Sequence, residues 1–341
     1  MRECQSRLKQ TPAGIGELIL GYRKAKILLT ATRLDCFSHL QAPRSANSLA
    51  RKLALDSRAT EILLDALVAM DYLRKSRGLY RNTLISQKCL VQNSMNYMGS
   101  NLKYQDILWN AWGDLRECVR KGGALRPLEH WLLKEKGFTN EYIRGMQNIA
   151  KKPAAEIASC VDASKAETML DIGAGPGTYT LAFLAKNPGL RATLLDLPGT
   201  LKVTRKLLKE QPPALARRIR LSPGNYRTDS FGKNAYDLVL LSHITHDESP
   251  KVNRALIAKS FRALRPGGCI VIHDFMLEKD RTQPEFGALF SVHMLIYTEA
   301  GRTYTRDEYA AWLKNEGFKN LRQRPVAANA SNASRIITAI K

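Results

Sequence analysis

Mainly apolar runs and stretches with helical spacing alternate along the second half of the chain. The runs fall at 168–172, 191–196, 219–221, 237–242 and 269–274. Because they are apolar almost throughout, they are typical of strands covered on both faces of a sheet. Strands that alternate with helices predict an α/β fold with a parallel sheet. Two further strands are expected near the C-terminus, at 321–324 and 334–340.

The N-terminal part has a helical pattern instead. Residues 12–40 are apolar on several sides, so this helix needs a partner, either within its own domain or in a second subunit. Residues 45–53 and 58–73 give two more helices, and 78–83 gives a short β-wing. Helix, turn, helix and wing together predict a winged-helix domain.

The stretch between these two regions is also helical. Residues 97–121 form one predicted helix, which ends at a Gly-Gly step, and 128–163 form further helices. The chain is therefore divided into a winged-helix domain at 1–95, a helical linker at 96–162 and an α/β domain at 163–341.

The strand at 168–172 runs into a turn with glycines at 173, 175 and 177. Glycines are needed where the backbone turns sharply or approaches a ligand, and the N–H groups of the next helix would face that ligand. Asp171 precedes the turn, and Asp196 ends the next strand. A carboxylate at the second position can accept both hydroxyls of a ribose. These residues predict a nucleoside site.

The spacing of the glycines limits which nucleoside is bound. The third glycine comes one place too early for the dinucleotide fingerprint, and the chain contains no phosphate-binding loop of the P-loop type. Asp171 would repel a pyrophosphate but suits a cation such as the methionine end of S-adenosylmethionine. The pattern D-x-G-x-G-x-G resembles the first motif of the class I S-adenosylmethionine-dependent methyltransferases, which implies a Rossmann-like sheet with an antiparallel last strand.

The composition excludes several other classes of protein. No apolar run approaches the roughly 18 residues of a membrane span, and no signal peptide is evident, so a cytoplasmic protein is expected. Six scattered cysteines fit reduced thiols. The net charge of +22 favours contact with anions, yet the second helix of the winged-helix pattern carries Glu61, Asp65 and Asp71. Nucleic acid is therefore an unfavoured partner.

The fourth strand ends in the sequence Ser242-His243-Ile244-Thr245-His246-Asp247. The two histidines could share one face as metal ligands, but no third ligand stands nearby in the sequence, so no metal is expected. Either histidine could instead be structural. The remaining interpretation is a general base, because an imidazole pKa of about 6.5 suits the deprotonation of a phenol.

Several segments resemble the small-molecule O-methyltransferases of the plant and acetylserotonin type, including their bacterial branch. The N-terminal matches are Ile27-Leu28-Leu29, Leu34-Asp35-Cys36-Phe37, Ser48-Leu49-Ala50, Leu63-Leu64-Asp65-Ala66-Leu67 and Tyr80-Arg81-Asn82-Thr83. The His246-Asp247 step is the second match. The resemblance covers about residues 15 to 325 and implies an N-terminal dimerisation domain, a homodimer, S-adenosylmethionine as cofactor and no metal.

The resemblance also implies roles for particular residues. His246 would be the base, and Asp274 would orient it. The acceptor would enter between the domains. The residues expected to bind the cofactor are Asp171, Gly173, Gly175, Gly177, Asp196, Leu197, Asn225, Tyr226 and Ser242. The residues expected to bind the acceptor are Trp131, Phe286, Phe290, Met294 and Tyr297.

Three positions depart from the pattern of this family. Glu248 stands where a tryptophan usually follows His-Asp, and Asn225 replaces an acid that contacts adenine. Thr303 replaces a glutamate that assists the base. The expected reaction is methyl transfer to a hydroxyl of a small aromatic, polyketide-like or pigment acceptor. The alternatives are carbon or sulfur methylation, decarboxylation or hydroxylation by a divergent member, and, less favoured, RNA methylation.

Overall fold

The computed structural model describes residues 12–134, 137–327 and 333–341. Contacts divide this part of the chain into two compact units, the first ending at Trp109 and the second beginning at Asn110. Each unit has its own buried apolar cluster. The division of the chain into three domains at 95/96 and 162/163 stays a prediction.

The first unit combines helices with a small antiparallel sheet. Its helices are α1 (Pro12–Arg33), α2 (Ala46–Leu53), α3 (Ser57–Ala69), α4 (Leu84–Cys89) and most of α5 (Gly99–Gly113). Its strands are β1 (Arg44–Ser45), β2 (Leu73–Ser76) and β3 (Leu79–Asn82), in the order β1-β3-β2. The α2-turn-α3 pair followed by the β2–β3 hairpin is the arrangement that the sequence predicted.

Two predicted helices of this unit are too long. The helix predicted at 12–40 ends at Arg33, because Asp35 takes a left-handed conformation with φ 58° and a short 3₁₀ turn follows at Phe37–His39. The helix predicted at 58–73 ends at Ala69, since Asp71 has φ 61° and Leu73 already belongs to β2. A left-handed residue stops the helical hydrogen-bond ladder.

The helical segment at the start of the second unit contains α6 (Leu115–Lys121), α7 (Leu128–Lys134) and α8 (Phe138–Cys160). The single helix predicted at 97–121 is in fact two helices, α5 and α6, separated at Asp114. Asp114 has ψ near 0°, which leaves the helical region. The left-handed Gly122, with φ 84°, then ends α6 as the Gly-Gly step predicted.

The rest of the second unit is a sheet with helices on both faces. The strands of its sheet are β4 (Thr168–Ile172), β5 (Arg191–Asp196), β6 (Ile219–Pro223), β7 (Tyr236–Ser242), β8 (Leu264–Leu277), β9 (Tyr304–Thr305), β10 (Lys319–Pro325) and β11 (Ser334–Ile340). The helices are α9 (Thr178–Lys186), α10 (Pro198–Lys209), α11 (Pro213–Ala216), α12 (Pro250–Ala263), α13 (Glu285–Tyr297) and α14 (Arg306–Glu316).

The strand order is β10-β11-β8-β7-β4-β5-β6, and β9 pairs with β8 outside this path. β4, β5, β6, β7 and β8 run parallel, whereas β11 is antiparallel to both of its neighbours. The side chains of successive residues of β7 lie on opposite faces of the sheet. Val239 belongs to one buried cluster and Leu238 to the other. The sheet is therefore buried on both faces, as its apolar strands predicted.

The chain reverses its direction of winding at β4, which lies between β5 and β7. Ligands in open α/β sheets bind at this switch point, beyond the carboxyl ends of the strands. The strand register brings Ile172 level with Leu195, and Ser242 level with His273. The polar residues that follow these four positions therefore meet at one edge of the sheet.

Candidate active site

The glycine turn after β4 has little room for side chains. A Cβ atom at Gly173 would lie 2.5 Å from Ile244 Cγ2, and one at Gly177 would lie 2.8 Å from Leu194 Cδ2. Both residues have positive φ, 66° and 74°. At Gly175, by contrast, a Cβ atom would meet nothing within 4 Å. Positive φ and close packing together favour glycine at these two positions, and Gly175 borders open space at the carboxyl end of β4.

Asp171 is buried beneath this turn. Its Oδ2 accepts a hydrogen bond of 2.6 Å from the Thr180 hydroxyl at the start of α9. Burial is the main reason that the pKa of this carboxyl is raised to about 7, and the nearby charge of Asp196 adds to the effect. A carboxyl in this state favours a cation, which would restore its ionised form.

Asp196, at the end of β5, is held by the backbone. Its Oδ2 accepts from Gly175 N and its Oδ1 from Leu197 N, both at 2.7 Å. Each carboxylate oxygen has a second lone pair, so both oxygens can still accept from a ligand hydroxyl. Burial raises the pKa of the Asp196 carboxyl, whereas the hydrogen bonds from the backbone amides of Gly175 and Leu197 act in the opposite direction.

The loop after β6 carries two more of the predicted cofactor residues. Asn225 is exposed, and its Oδ1 accepts from Arg227 N at 2.9 Å, which closes a turn. The hydroxyl of Tyr226 donates to Glu248 Oε1 at 2.7 Å, and Arg227 Nε lies at the same distance from that atom. Glu248 is therefore a buried anchor for this loop, a role that the sequence did not reveal.

The base and its predicted partner meet at the ends of β7 and β8. His246 Nδ1 lies 2.5 Å from Asp274 Oδ1, and both side chains are buried. Asp274 Oδ2 accepts from the Thr245 hydroxyl and, at 3.2 Å, from His246 N. His246 Nε2 lies 3.6 Å from Asp247 Oδ1, which is beyond hydrogen-bond distance. One edge of the imidazole is thus fixed, and the other has no hydrogen bond within the described chain.

The charges around His246 decide its protonation. Burial by itself would lower the pKa of His246, but the carboxylates of Asp274 and Asp247 outweigh that effect and raise it to about 9. The imidazolium in turn keeps the pKa of Asp274 well below its usual range, despite the burial of that carboxyl. Burial raises the pKa of Asp247 to about 7.

His243 and His273 complete a group of three histidines. The ring centroids of His243 and His273 are 4.2 Å apart, and the backbone of His243 has φ 55°. His273 is held by Ser242 Oγ and Ser334 Oγ, both at 2.9 Å, so the predicted cofactor residue Ser242 already has a protein partner. His273 was not among the site residues predicted from the sequence. Its position directly before Asp274 was the available signal.

His243, His246 and Asp274 have nitrogen and oxygen atoms within 4.8 Å of one another, a spacing that could suit the ligands of one metal ion. The 2.5 Å between His246 Nδ1 and Asp274 Oδ1 fits a shared proton. Two ligands of one tetrahedral metal, each about 2.0–2.2 Å from it, would be more than about 3 Å apart. The described geometry therefore favours a charged hydrogen bond over a metal at this pair.

Thr303 stands where the family has its assisting glutamate, and it is buried. Its hydroxyl donates to Gly287 O at 2.9 Å, and its amide donates to Ser291 Oγ at 3.1 Å. It therefore ties the loop after α13 back to that helix. Among the described residues, the carboxylates closest to His246 are Asp274 and Asp247.

Aromatic side chains border the base on the other side. Phe290 of α13 has its ring centroid 4.9 Å from that of His246, in an edge-to-face contact, and 4.6 Å from that of Phe275. Phe286 is 40% exposed and stacks with Phe290 at 5.9 Å, whereas Met294 and Tyr297 are buried. The structure therefore places Phe290 beside His246 and Phe286 against Phe290.

Trp131, the fifth residue expected to bind the acceptor, lies elsewhere in the helical segment. Its indole Nε1 donates to Arg126 O at 2.9 Å, and its ring is 5.9 Å from that of Phe138. These contacts are within the linker helices rather than with α13. The role of Trp131 in acceptor binding stays a prediction.

Comparison with known proteins defines the family. Residues 119–319, more than half of the chain, match the O-methyltransferase domain, and residues 16–92 match the O-methyltransferase dimerisation domain. This chain belongs to the O-methyltransferase family. It is an S-adenosylmethionine-dependent enzyme with an N-terminal dimerisation domain, as the resemblance implied.

Individual relatives cover almost the whole O-methyltransferase chain. The 3-hydroxy-5-methyl-1-naphthoate 3-O-methyltransferase of Streptomyces sahachiroi is 28% identical over 327 residues, which is 94% of this chain and 93% of that protein. The S-adenosyl-L-methionine-dependent methyl transferase PigF of Serratia sp. is 28% identical over 314 residues, 89% of this chain and 90% of that one. A solved structure of PigF with SAH covers 97% of this chain and 100% of that chain, with 27% identity and a TM-score of 0.87.

The residues of this O-methyltransferase fit the cofactor that its family uses. The glycine turn leaves open space at Gly175, and the carboxyl of Asp171 is poised for a cation. Asp196 keeps lone pairs for two hydroxyls.

Within the described ranges, no helix combines the length and hydropathy that crossing a bilayer requires.

Proposed function

We propose that this O-methyltransferase methylates a hydroxyl of a small aromatic or polyketide-like acceptor, with His246 as the general base. The observation that carries the proposal is the 2.5 Å contact between His246 Nδ1 and Asp274 Oδ1. A proton held on Nδ1 leaves Nε2 as the basic nitrogen. Nε2 has no hydrogen bond within the described chain.

His246 supplies what a phenolic acceptor needs. A phenol has a pKa of about 10 and is mostly protonated at neutral pH. A neutral His246 would accept the phenolic proton at Nε2, and Asp274 would stabilise the imidazolium that forms. Asp274 keeps its negative charge throughout, because the pKa of its carboxyl lies well below the usual range.

The cofactor-binding residues hold the methyl donor at the same edge of the sheet. Asp171 would bind its cationic methionine end and Asp196 its ribose, while Leu197 and the loop of Asn225 and Tyr226 would surround its adenine. Bound S-adenosylmethionine supplies the methyl group. The contribution of the protein is to position donor and acceptor and to exclude water around the charged groups.

Two observations support an aromatic acceptor. Phe290 contacts the ring of His246, and Phe286 stacks with Phe290, so apolar rings line this side of the site. The Streptomyces sahachiroi relative acts, by its name, on the hydroxyl of a naphthoate. We further propose a homodimer formed through the N-terminal domain, because α1 exposes Ile15, Leu18, Ile19 and Leu20.

The decisive test is methyl transfer from labelled S-adenosylmethionine to a panel of phenols and polyketide phenols, with wild type, His246→Ala and His243→Ala. We expect His246→Ala to lower kcat by about 10²–10⁴, the usual yield of general-base catalysis. Cofactor affinity, measured by calorimetry, should change little. High pH should partly rescue this variant with acidic phenols, which ionise without help.

His243→Ala is the matched control, since its ring lies beside the pair but lacks the short contact to Asp274. This substitution should lower kcat far less than His246→Ala does. Equal and mild losses of kcat in both variants would contradict the proposal that His246 is the general base. They would favour an acceptor that is already nucleophilic, such as a thiolate or an activated carbon, which fits Thr303 at the position of the glutamate.

A further inference from the structure

A row of rings follows one face of α13 and leads away from the base. Phe286, Phe290, His293 and Tyr297 are spaced by four, three and four residues, which places them on the same side of the helix. Phe290 contacts the ring of His246. One member of the row, His293, is polar and has no part in the mechanism above.

His293 stacks with two rings. Its imidazole stacks with Trp112 at a centroid distance of 6.0 Å and an interplanar angle of 20°. It also stacks with Tyr297, at 5.3 Å and 23°. The two contacts restrain the plane of the imidazole, and its two nitrogens lie in that plane.

Neither nitrogen of His293 has a hydrogen-bond partner in the part of the chain that the structure describes. Burial lowers the pKa of His293 to about 4, so the ring is neutral at physiological pH and has one donor and one acceptor nitrogen. Half-buried polar atoms without partners cost free energy, and phenylalanine would stack without that cost. The nitrogens are therefore available for a ligand.

The position of His293 relative to the base limits what that ligand is. Phe290 contacts both imidazoles, with its ring centroid 4.9 Å from that of His246 and 5.4 Å from that of His293. The two imidazoles are therefore no farther apart than these two distances combined. A molecule lying along Phe290 with one end at His246 would reach His293 if it contained about two fused rings.

We infer that His293 selects acceptors that carry a second hydrogen-bonding group on the edge opposite the methylated hydroxyl. The favoured substrate is a fused aromatic whose far edge bears a hydroxyl, a carbonyl or a ring nitrogen. His246 would contact the reacting hydroxyl, Phe290 the ring face and His293 the distal group. This inference rests on the proposed function, since it takes the hydroxyl at His246 as the methylated one.

Three naphthols separate this selection from general hydrophobic binding. In 2,6-dihydroxynaphthalene the second hydroxyl lies across both rings, in 2,3-dihydroxynaphthalene it lies beside the first, and 2-naphthol lacks it. Each is titrated calorimetrically into the full-length enzyme with SAH, in which no turnover occurs. Wild type should bind the 2,6-diol at least about tenfold more tightly than the other two, because an analogue that leaves a polar group unpaired loses affinity.

His293→Phe preserves the stack and removes both nitrogens. We expect it to bind the 2,6-diol about as weakly as 2-naphthol, while the affinities for 2-naphthol and SAH stay unchanged. His293→Asn, which retains a donor and an acceptor, should restore part of the preference even if the Phe variant proves unstable. His130→Phe makes the same replacement outside the ring row and should behave as wild type.

A failure of the role of His293 can be distinguished from a failure of the proposed hydroxyl methylation. Equal affinity of wild type for the three naphthols, or a preference that survives in His293→Phe, would overturn the role of His293. Tight and His293-dependent binding of the 2,6-diol without methyl transfer from labelled S-adenosylmethionine would support the role of His293 and contradict the hydroxyl chemistry. In turnover, the loss in His293→Phe should appear in KM for the diol rather than in kcat.

Discussion

At the scale of single residues, the site depends on one buried carboxylate. Asp274 accepts hydrogen bonds from His246 Nδ1 and from the Thr245 hydroxyl, and its Oδ1 also accepts from Phe275 N at 2.8 Å. A buried charge is tolerated when it is paired and hydrogen-bonded in this way. The cost of that burial is offset by His246⁺, and the same attraction makes His246 a stronger base than a free histidine.

The raised pKa of His246 predicts the pH dependence of the reaction. The base must be neutral to accept a proton, and the pKa of about 9 means that it is mainly protonated at neutral pH. We therefore expect kcat/KM for the acceptor, measured at saturating cofactor, to rise with pH through about pH 9 and then to level off. An unperturbed histidine would give a plateau near pH 7.

Asp247→Asn provides the matched comparison for this profile. It removes one of the two carboxylates that raise the pKa of His246, so the plateau should begin at lower pH. A profile that levels off near pH 7 in both proteins would show that the carboxylates do not control the base.

Asp171 predicts a second pH dependence, in cofactor binding. Its carboxyl has a pKa of about 7 before a ligand binds, because it is buried. A cationic methionine end binds the ionised form, so affinity for S-adenosylmethionine should fall as the pH drops below 7, by up to about tenfold per pH unit. Calorimetry between pH 5.5 and 8.5 measures this.

Two variants identify the group responsible. Asp171→Asn should bind weakly with a flat pH dependence, since it has no carboxyl to ionise. Asp247 titrates in the same range, with a pKa of about 7, but Asp247→Asn should keep the dependence of the wild type. A flat profile in Asp247→Asn would assign the effect to the wrong carboxyl.

At the scale of elements, the strand, turn and helix from β4 to α9 form the cofactor platform. β4 is central and buried, so its position is fixed by β5 and β7 on either side. The turn can then approach a ligand closely, because Gly173 and Gly177 adopt conformations that other residues disfavour. The platform joins a buried interior strand of the sheet to the N–H groups at the start of α9.

Gly173→Ala tests this platform. The added Cβ would meet Ile244 at 2.5 Å in a left-handed conformation, so the turn must shift. We expect the free energy of unfolding to fall by at least about 1 kcal/mol, and affinity for S-adenosylmethionine to fall tenfold or more. Thermal unfolding with and without cofactor measures both.

Gly189→Ala is the control for that substitution. A Cβ at Gly189 would meet nothing within 4 Å, so neither stability nor cofactor affinity should change much. If Gly173→Ala binds the cofactor as wild type does, the turn is not the part of the protein that approaches it.

At the scale of the whole molecule, two surface properties are unusual. The chain carries 53 basic and 31 acidic residues, a net charge of +22. In the first unit, α1 exposes apolar side chains that a single copy leaves in water, with Leu18 76% exposed and Ile15 61%. An exposed apolar patch of this kind marks an interface, and residues 16–92 match a dimerisation domain.

We predict that wild type sediments as a dimer at micromolar concentration, since obligate interfaces bury on the order of 2,000 Å² or more. Leu18→Lys places a charge in the exposed apolar surface and should shift the protein towards monomer. Val119→Lys makes the same change at an exposed apolar residue of α6, which is 62% exposed, and should leave the dimer intact. A stable wild-type monomer would contradict the interface.

The sequence was sufficient for features that depend on local pattern. The apolar strands, the glycine turn and the acids at 171 and 196 follow from the spacing of residues along the chain, because a buried strand and a tight turn each restrict the residues that can form them. The fold was predicted on these grounds and the family by resemblance to the O-methyltransferases, and both are confirmed. Two helix ends were predicted too late in the chain, since left-handed residues such as Asp35 and Asp71 have no unique sequence signal.

Only the tertiary structure decided how distant residues combine. Asp274 is 28 residues from His246, yet β7 and β8 run side by side and bring the two within 2.5 Å, which raises the pKa of the histidine. Trp112 of α5 likewise stacks with His293 of α13, a contact between two separate helices. Spacing along the chain determines local conformation, whereas electrostatics and packing depend on distances that exist only after the sheet has formed.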